Sequence, residues 1–301
     1  MWLLFAFIGP LTWAASTHID KYLVARYFHD SDTAVLMLFT ALIGMLSLPV
    51  MVVLVPGIFA ASLPAIFVMT ASGVMYMGAM LFYLRAIQSE EASVVAPMFQ
   101  LITIFSFILA WALLGEIPTW IGSLGAVLIV GGVLSLSLDK NFMLTGLKPK
   151  LILEMTACTA ILALANVLFK FYAVKDDFWV TTFWTFVGEG LFGLAFLCLR
   201  RYRMQFIDLL RHSTGPLLGV SAANELINLG GGLSVRYAAM LAPVALVSAI
   251  SSTTTLFVFV LGIGLSVIAP RYGREDLSRS SLFKKAIAAI VVTIGVLLVN
   301  G

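Results

Sequence analysis

The chain has 301 residues, of which 61% are hydrophobic and only 11% are charged. Soluble domains are roughly half apolar and about a quarter charged, so this composition excludes an ordinary soluble fold and indicates a membrane protein. The formal net charge of +3 comes from the connections between apolar runs and does not indicate nucleic-acid binding.

Long apolar runs follow one another along the whole chain, and a helix needs about 20 such residues to cross the hydrocarbon core. The first run lacks the positively charged start and cleavage pattern of a signal peptide, so we take it as a span. We therefore predict an all-α integral membrane protein with ten transmembrane helices. The predicted spans cover residues 3–22, 33–55, 62–85, 92–114, 118–138, 151–172, 178–199, 215–236, 243–268 and 284–300.

Lys and Arg residues are divided unevenly between the two faces of the predicted membrane protein. Most of the 18 lie at connections 1–2, 3–4, 5–6, 7–8 and 9–10 or at the span ends beside them. The positive-inside rule places this face in the cytoplasm and both termini outside a cell membrane. The same rule explains the basic run "RRYRMQFIDLLRHS" at 200–213, with a lipid-headgroup or partner site as the alternative.

The two halves of the chain show signs of an internal repeat. Arg85 and Arg236 end spans three and eight, and Thr103 and Thr254 occupy equivalent positions in spans four and nine. An odd number of spans in each half inverts the second half in the membrane. We predict two inverted five-helix repeats, residues 1–140 and 141–301, in one transmembrane unit. Such repeats are typical of secondary transporters, with the substrate site near the midplane between the halves.

Four stretches carry a family resemblance that covers nearly the whole chain. The first half contributes "EEASVVAPMFQLITIFSFILAWALLGE" at 90–116 and "IGSLGAVLIVGGVLSL" at 121–136. The second half contributes "LAPVALVSAISSTTTLFVFVLGIGLS" at 241–266 and "AIAAIVVTIGVLLV" at 286–299. These stretches resemble the EamA-type repeat of the drug/metabolite transporter superfamily. The resemblance implies a ten-helix carrier of small metabolites, amino acids or amphipathic drug-like compounds, often moved outward.

Two features depart from the family pattern. The Gly115–Glu116 pair after span four has no counterpart after span nine, where Ser266–Val267 stands. Members of the family are usually drawn with both termini inside, whereas the positive-inside rule applied to this chain places them outside.

Polar residues inside the spans are costly and usually face a cavity or one another. Asn224, Glu225 and Asn228 fall on one side of span eight, because residues three and four apart share a helix face. A carboxyl group shielded from water is a candidate proton carrier, so Glu225 is predicted to line the substrate cavity or carry a coupling proton. The alternative is a structural glutamate paired with a buried base or with backbone.

Basic and amide side chains recur near the ends of spans one and six. His18 and Lys21 lie on one side of span one, and Asn166 and Lys170 lie four apart in span six. Two such symmetry-related pairs are able to bind an anionic group. They are equally explained by packing of His18 and by lysines that reach for the membrane interface.

The remaining candidates lie in spans three and seven. Glu189 is flanked by glycines, which favours either tight helix packing with a buried ion pair or a role in transport. Tyr76 and Trp184 are candidates for lining the cavity, whereas Arg85 and Arg236 are better explained as gate or headgroup residues. The candidate substrate-binding residues are His18, Lys21, Tyr76, Asn166, Lys170, Trp184, Glu189, Asn224, Glu225 and Asn228.

No sequence motif points to catalysis, a cofactor or a metal site. The chain has no Walker A motif, no HExxH and no nucleophile elbow, and its two cysteines lie in separate spans. We predict a proton-coupled or otherwise secondary exporter that is not an enzyme. Its expected partners are a small-molecule substrate, membrane lipid and, as an open alternative, a second copy in a homodimer. A non-transporting receptor or scaffold and a lipid-modifying membrane enzyme are the other functions left open.

Overall fold

A computed structural model of the protein provides the fold. The structure describes residues 1–27, 33–89, 98–99, 101–137, 149–212, 215–268 and 279–300. All regular structure in these residues is helical, apart from turns, which confirms the all-α prediction.

The first half of the chain contains five of the described helices. They are α1 (Trp2–Tyr27), α2 (Thr33–Leu54), α3 (Leu63–Ser89), α4 (Leu101–Leu114) and α5 (Trp120–Ser137). Helix α4 covers only the later part of predicted span four, because residues 90–97 and 100 lie outside the described residues.

The second half adds a helix that the sequence pattern did not predict. Its helices are α6 (Pro149–Lys175), α7 (Phe178–Cys198), α8 (Arg200–His212), α9 (Gly215–Leu241), α10 (Val244–Ser251), α11 (Thr254–Ile268) and α12 (Arg279–Asn300). Residues 200–212 lie in the predicted connection between spans seven and eight, for which we predicted no helix. They form α8, whose Phe206 and Leu209 pack against α1, α2 and α9.

Helices that are long and apolar enough to cross a membrane account for six of the predicted spans. Among the described residues they are Trp2–Ile19, Met37–Leu54, Leu63–Tyr83, Pro149–Lys175, Phe178–Cys198 and Val244–Leu265. Leu101–Leu114, Trp120–Gly132 and Ala286–Val299 are shorter apolar helices. The protein is therefore an integral membrane protein, while the count of ten spans stays a prediction.

Glycines let three pairs of helices meet backbone to backbone. A Cβ on Gly231 of α9 would overlap Thr12 of α1, and Cβ atoms on Gly73 and Gly188 would overlap the facing backbones of α7 and α3. Helices α5 and α12 meet in the same way, because a Cβ on either Gly125 or Gly295 would overlap the backbone of the other glycine. Small residues at helix contacts are typical of membrane bundles, which lack a hydrophobic drive between helices.

Predicted span nine is interrupted in the middle. Helix α10 ends at Ser251, and α11 begins at Thr254 after a turn. The hydroxyl groups of Ser252, Thr253 and Thr254 donate to carbonyl oxygens three residues earlier, at 2.6–2.7 Å. The carbonyl oxygens of Ala249 and Ile250 also accept backbone N–H groups across the turn, so two of the hydroxyl bonds add to backbone bonds. The Thr254 hydroxyl supplies a donor to the Ser251 carbonyl.

Candidate functional site

An ion pair lies between helices α7 and α9. The Arg236 Nη2 atom donates a hydrogen bond of 2.8 Å to Glu189 Oε1. Both side chains are largely buried, with 14% and 16% of their surfaces exposed. Because an unpaired charge is costly inside a membrane protein, each group stabilises the other in its charged form.

Three aromatic rings surround the Arg236 guanidinium. Its Cζ atom lies 5.7 Å from the ring centre of Tyr76, 5.1 Å from that of Phe169 and 5.2 Å from that of Phe186. Rings at such distances attract a cation through their negative faces. Side chains from α3, α6, α7 and α9 therefore meet at the Arg236 guanidinium. We call the ion pair of Arg236 and Glu189 the central pair.

Polar groups extend from the central pair towards α9 and α6. Tyr76 lies beside Arg236 and thus near Glu189. On α9, Asn224 is buried, and Glu225 and Asn228 are half-buried. Asn166 and Arg236 line a small cavity of about 20 Å³, which has room for one water-sized molecule.

A second ion pair, which we call the outer pair, joins Lys170 of α6 to Glu116 between α4 and α5. Lys170 Nζ also donates to the Ala242 carbonyl oxygen at 2.6 Å, and Val244 N donates to Glu116 Oε2 at 3.0 Å. Lys170 and Glu116 border a cavity of about 350 Å³ that opens to the surface. The outer pair thus connects the first half of the chain to the junction between α9 and α10.

The position of Glu116 is set by the way helix α4 ends. Gly115 has a φ of +66°, a left-handed conformation that favours glycine. Gly115 N donates to the Trp111 carbonyl, and Glu116 N donates to the Ala110 carbonyl, both at 3.2 Å. This glycine-terminated helix end turns the chain back, so Glu116 reaches the start of α10.

Several predicted site residues lie away from the central pair. His18 Nε2 lies 3.0 Å from the Val258 carbonyl oxygen of α11, and Trp184 Nε1 donates to the Ile58 carbonyl at 3.2 Å. Both contacts are packing contacts to backbone. The side chain of Lys21 lies outside the described residues.

Sequence reasoning missed the cation at the centre of the site. Predicted span eight ended at Arg236, which suggested a gate or headgroup residue, but α9 continues to Leu241 and Arg236 pairs with Glu189. The available clue was Glu189 itself, since a carboxylate in mid-span requires a buried base. Phe169 and Phe186 gave no such clue, because aromatic residues are common throughout the chain.

Comparison with known proteins identifies the first half of the chain. Residues 1–138 match the EamA-like transporter family. This match confirms the predicted resemblance to the drug/metabolite transporter superfamily and indicates a membrane transporter of that type. No curated protein matches the chain.

Solved structures agree on the fold over almost the full length. Among the 26 matching chains is one described as "Crystal structure of protein", with a TM-score of 0.71 and 15% sequence identity. The match covers 99% of this chain and 96% of the other. At this identity the likeness shows the fold alone.

Proposed function

We propose that the protein is a secondary transporter that binds its substrate at the central pair and works by alternating access. The substrate is a small metabolite, an amino acid or an amphipathic drug-like compound. The observation that carries this proposal is a buried Arg236–Glu189 ion pair enclosed by three aromatic rings. The match of residues 1–138 to a transporter family supports it.

The chemistry of the central pair fits a substrate with both a charged and an apolar part. An anionic group of the substrate competes with Glu189 for the Arg236 guanidinium, which has several donors. A cationic group competes with Arg236 for Glu189. The rings of Tyr76, Phe169 and Phe186 offer apolar surface beside either group.

Helix packing supports an inverted repeat of residues 1–140 and 141–301. Helix α1 packs on α9, and its repeat partner α6 packs on α3, the repeat partner of α9. Helices α2 and α7 pack on each other, as do α5 and α12. The Ser248 hydroxyl donates to that of Ser106 at 3.1 Å, so α10 and α4 meet across the two halves. These pairings are those that a two-fold axis in the membrane plane would generate.

The outer pair is proposed as a gate on the side of the membrane opposite the basic connections. That side is the outside if the positive-inside rule holds for this chain. When Glu116 and Lys170 separate, α6 loses its link to the carboxylate that binds the start of α10. The start of α10 can then move about the turn at Ser252–Thr253. Outward opening at this point lets the substrate leave, as an exporter requires.

Glu225 is proposed as the group that carries the coupling proton. It is half-buried, and it lies one turn from Asn228 on α9, the helix that also carries Arg236. Protonation of Glu225 would then change the charge on the helix that holds the central pair. The variant Glu225→Gln keeps the shape of the side chain and removes its titration.

Ligand-induced stabilisation tests the substrate site. The purified protein is heated with metabolites, amino acids and amphipathic cations, and a true ligand raises the melting temperature by mass action. We expect stabilisation that is lost in Arg236→Gln and kept in the control Glu154→Gln. The control removes a partly buried charged group of α6 that belongs to a different ion pair. A ligand that stabilises the protein and the Arg236→Gln variant equally would place the site elsewhere.

Flux in proteoliposomes tests transport and its coupling. With the ligand so found, a pH gradient should drive uptake in the native protein and have little effect on Glu225→Gln. Unchanged flux and unchanged pH dependence in this variant would remove Glu225 from the coupling step. A ligand that binds without any flux would favour a receptor.

A further inference from the structure

Helix α8 is an amphipathic helix at the end of the bundle opposite the outer pair. It follows α7 after a single residue, Leu199, and precedes α9. Its inner side is fixed by Phe206, whose ring centre lies 4.9 Å from that of Phe39 in α2, and by Leu209. Tyr202 packs on Phe196 of α7, with ring centres 5.1 Å apart. These contacts hold α8 against the bundle.

The other side of α8 carries exposed cations interleaved with exposed apolar side chains. Arg203, Ile207 and Arg211 follow at intervals of four residues, so they form one row along the helix. Met204 and Ile207 expose 56% and 36% of their surfaces. We call this side the outer flank, which consists of Arg200, Arg203, Met204, Ile207, Leu210 and Arg211.

The cations of the outer flank have no acidic partner in the described part of the chain. Arg200, Arg203 and Arg211 are all exposed and form no ion pair with any described residue. Their positive charge is therefore available to an external anion. The guanidinium group matches phosphate oxygens with two parallel hydrogen bonds, which a lysine does not provide.

The surroundings of the outer flank point to lipid as the source of that anion. Leu191 and Leu194 of α7 and Leu199 before α8 are exposed, so apolar surface continues from the span to the start of α8. A helix with apolar side chains at the acyl boundary and arginines at headgroup level is typical of a membrane-interface helix. We propose that the outer flank of α8 binds the phosphate groups of anionic membrane lipids.

Lipid binding to the purified protein tests this proposal without any transport measurement. The delipidated protein in detergent is titrated with dioleoylphosphatidylglycerol or dioleoylphosphatidylcholine, and bound lipids are counted by native mass spectrometry. We expect the phosphatidylglycerol to bind more tightly. The double variant R200Q/R211Q should weaken that binding about fivefold for each arginine removed.

Two further variants separate a specific surface from general charge. K150Q/K175Q removes two exposed cations from the ends of α6 and should leave the affinity unchanged. R200K/R211K retains the charge but not the paired hydrogen bonds, so its affinity should lie between those of the native protein and R200Q/R211Q. Equal weakening in R200Q/R211Q and K150Q/K175Q, or equal binding of the two lipids, would overturn the proposal.

Discussion

The central pair and the outer pair differ in the groups that their charged side chains contact. In the central pair, Arg236 and Glu189 contact each other and aromatic side chains. In the outer pair, Lys170 and Glu116 each also bond to backbone at the junction of α9 and α10. A pair held by side chains can exchange partners without a change in the fold. A pair tied to backbone separates only when a segment moves.

This difference assigns the two pairs different tasks. The central pair suits the binding of a substrate group, because either charged partner can be replaced by a ligand. The outer pair suits the control of a movement, because its loss separates α6 from the carboxylate that binds the start of α10. The predictions that follow test this division.

Removal of one partner from the central pair should give the largest loss of stability. Arg236→Met leaves Glu189 as a buried charge without its partner, which should lower the free energy of unfolding by about 3–5 kcal/mol. The double variant R236M/E189M removes both charges and should recover much of that loss. Thermal or denaturant unfolding of R236M, E189M and R236M/E189M measures the coupling, and strictly additive losses would show that the pair is not coupled.

The outer pair should respond less to loss of its cation. Lys170→Met leaves Glu116 with its bond from Val244 N, so we expect a loss of about 1–3 kcal/mol from the unpaired groups. Substrate binding should be retained, because the central pair is unchanged. Unfolding and ligand titration check this, and loss of ligand affinity comparable to that of Arg236→Gln would break the proposed division.

The position of the central pair depends on the contact between α1 and α9. A methyl group in Gly231→Ala would overlap Thr12, so we expect a loss of about 1–3 kcal/mol and weaker substrate binding. Gly230→Ala is the matched control, since nothing lies near its added methyl group. Melting temperatures of both variants provide the measurement. A control that is as unstable as Gly231→Ala would mean that overlap is not the cause.

Substitution of Trp184 should have the smallest effect on stability. This result would show that Trp184 lies outside the substrate site. Trp184→Phe loses the hydrogen bond to the Ile58 carbonyl, which is worth about 0.5–1.5 kcal/mol. Flux and ligand affinity should not change. A strong decrease in flux at unchanged stability would instead indicate that Trp184 lines the substrate path.

The fold was largely predictable because lipid imposes one rule on every span. Each apolar run has to satisfy its own backbone, so the runs predict helices such as α2 and α7 directly. Helix α8 was not predicted in this way because its apolar and charged residues alternate along the sequence and form no long apolar run. Its amphipathic character appears only when side chains are followed around a helix.

The site was less predictable because spacing along one helix does not reveal contacts between helices. Tyr76 and Glu189 were predicted one by one, and both contact Arg236 in the structure. Lys170 was predicted as an anion-binding residue, and its anion is the carboxylate of Glu116. His18 and Trp184 instead bond to nearby backbone, which sequence alone does not distinguish from ligand binding.

The bond from Val244 N to Glu116 has an electrostatic consequence for the outer pair. Val244 is the first residue of α10, so the carboxylate sits at the positive end of that helix's dipole. A helix N-terminus carries roughly half a positive elementary charge. Glu116 is therefore stabilised from two directions, whereas Lys170 relies on Glu116 and one carbonyl. The outer pair is asymmetric, and loss of the acid should disturb α10 more than loss of the base.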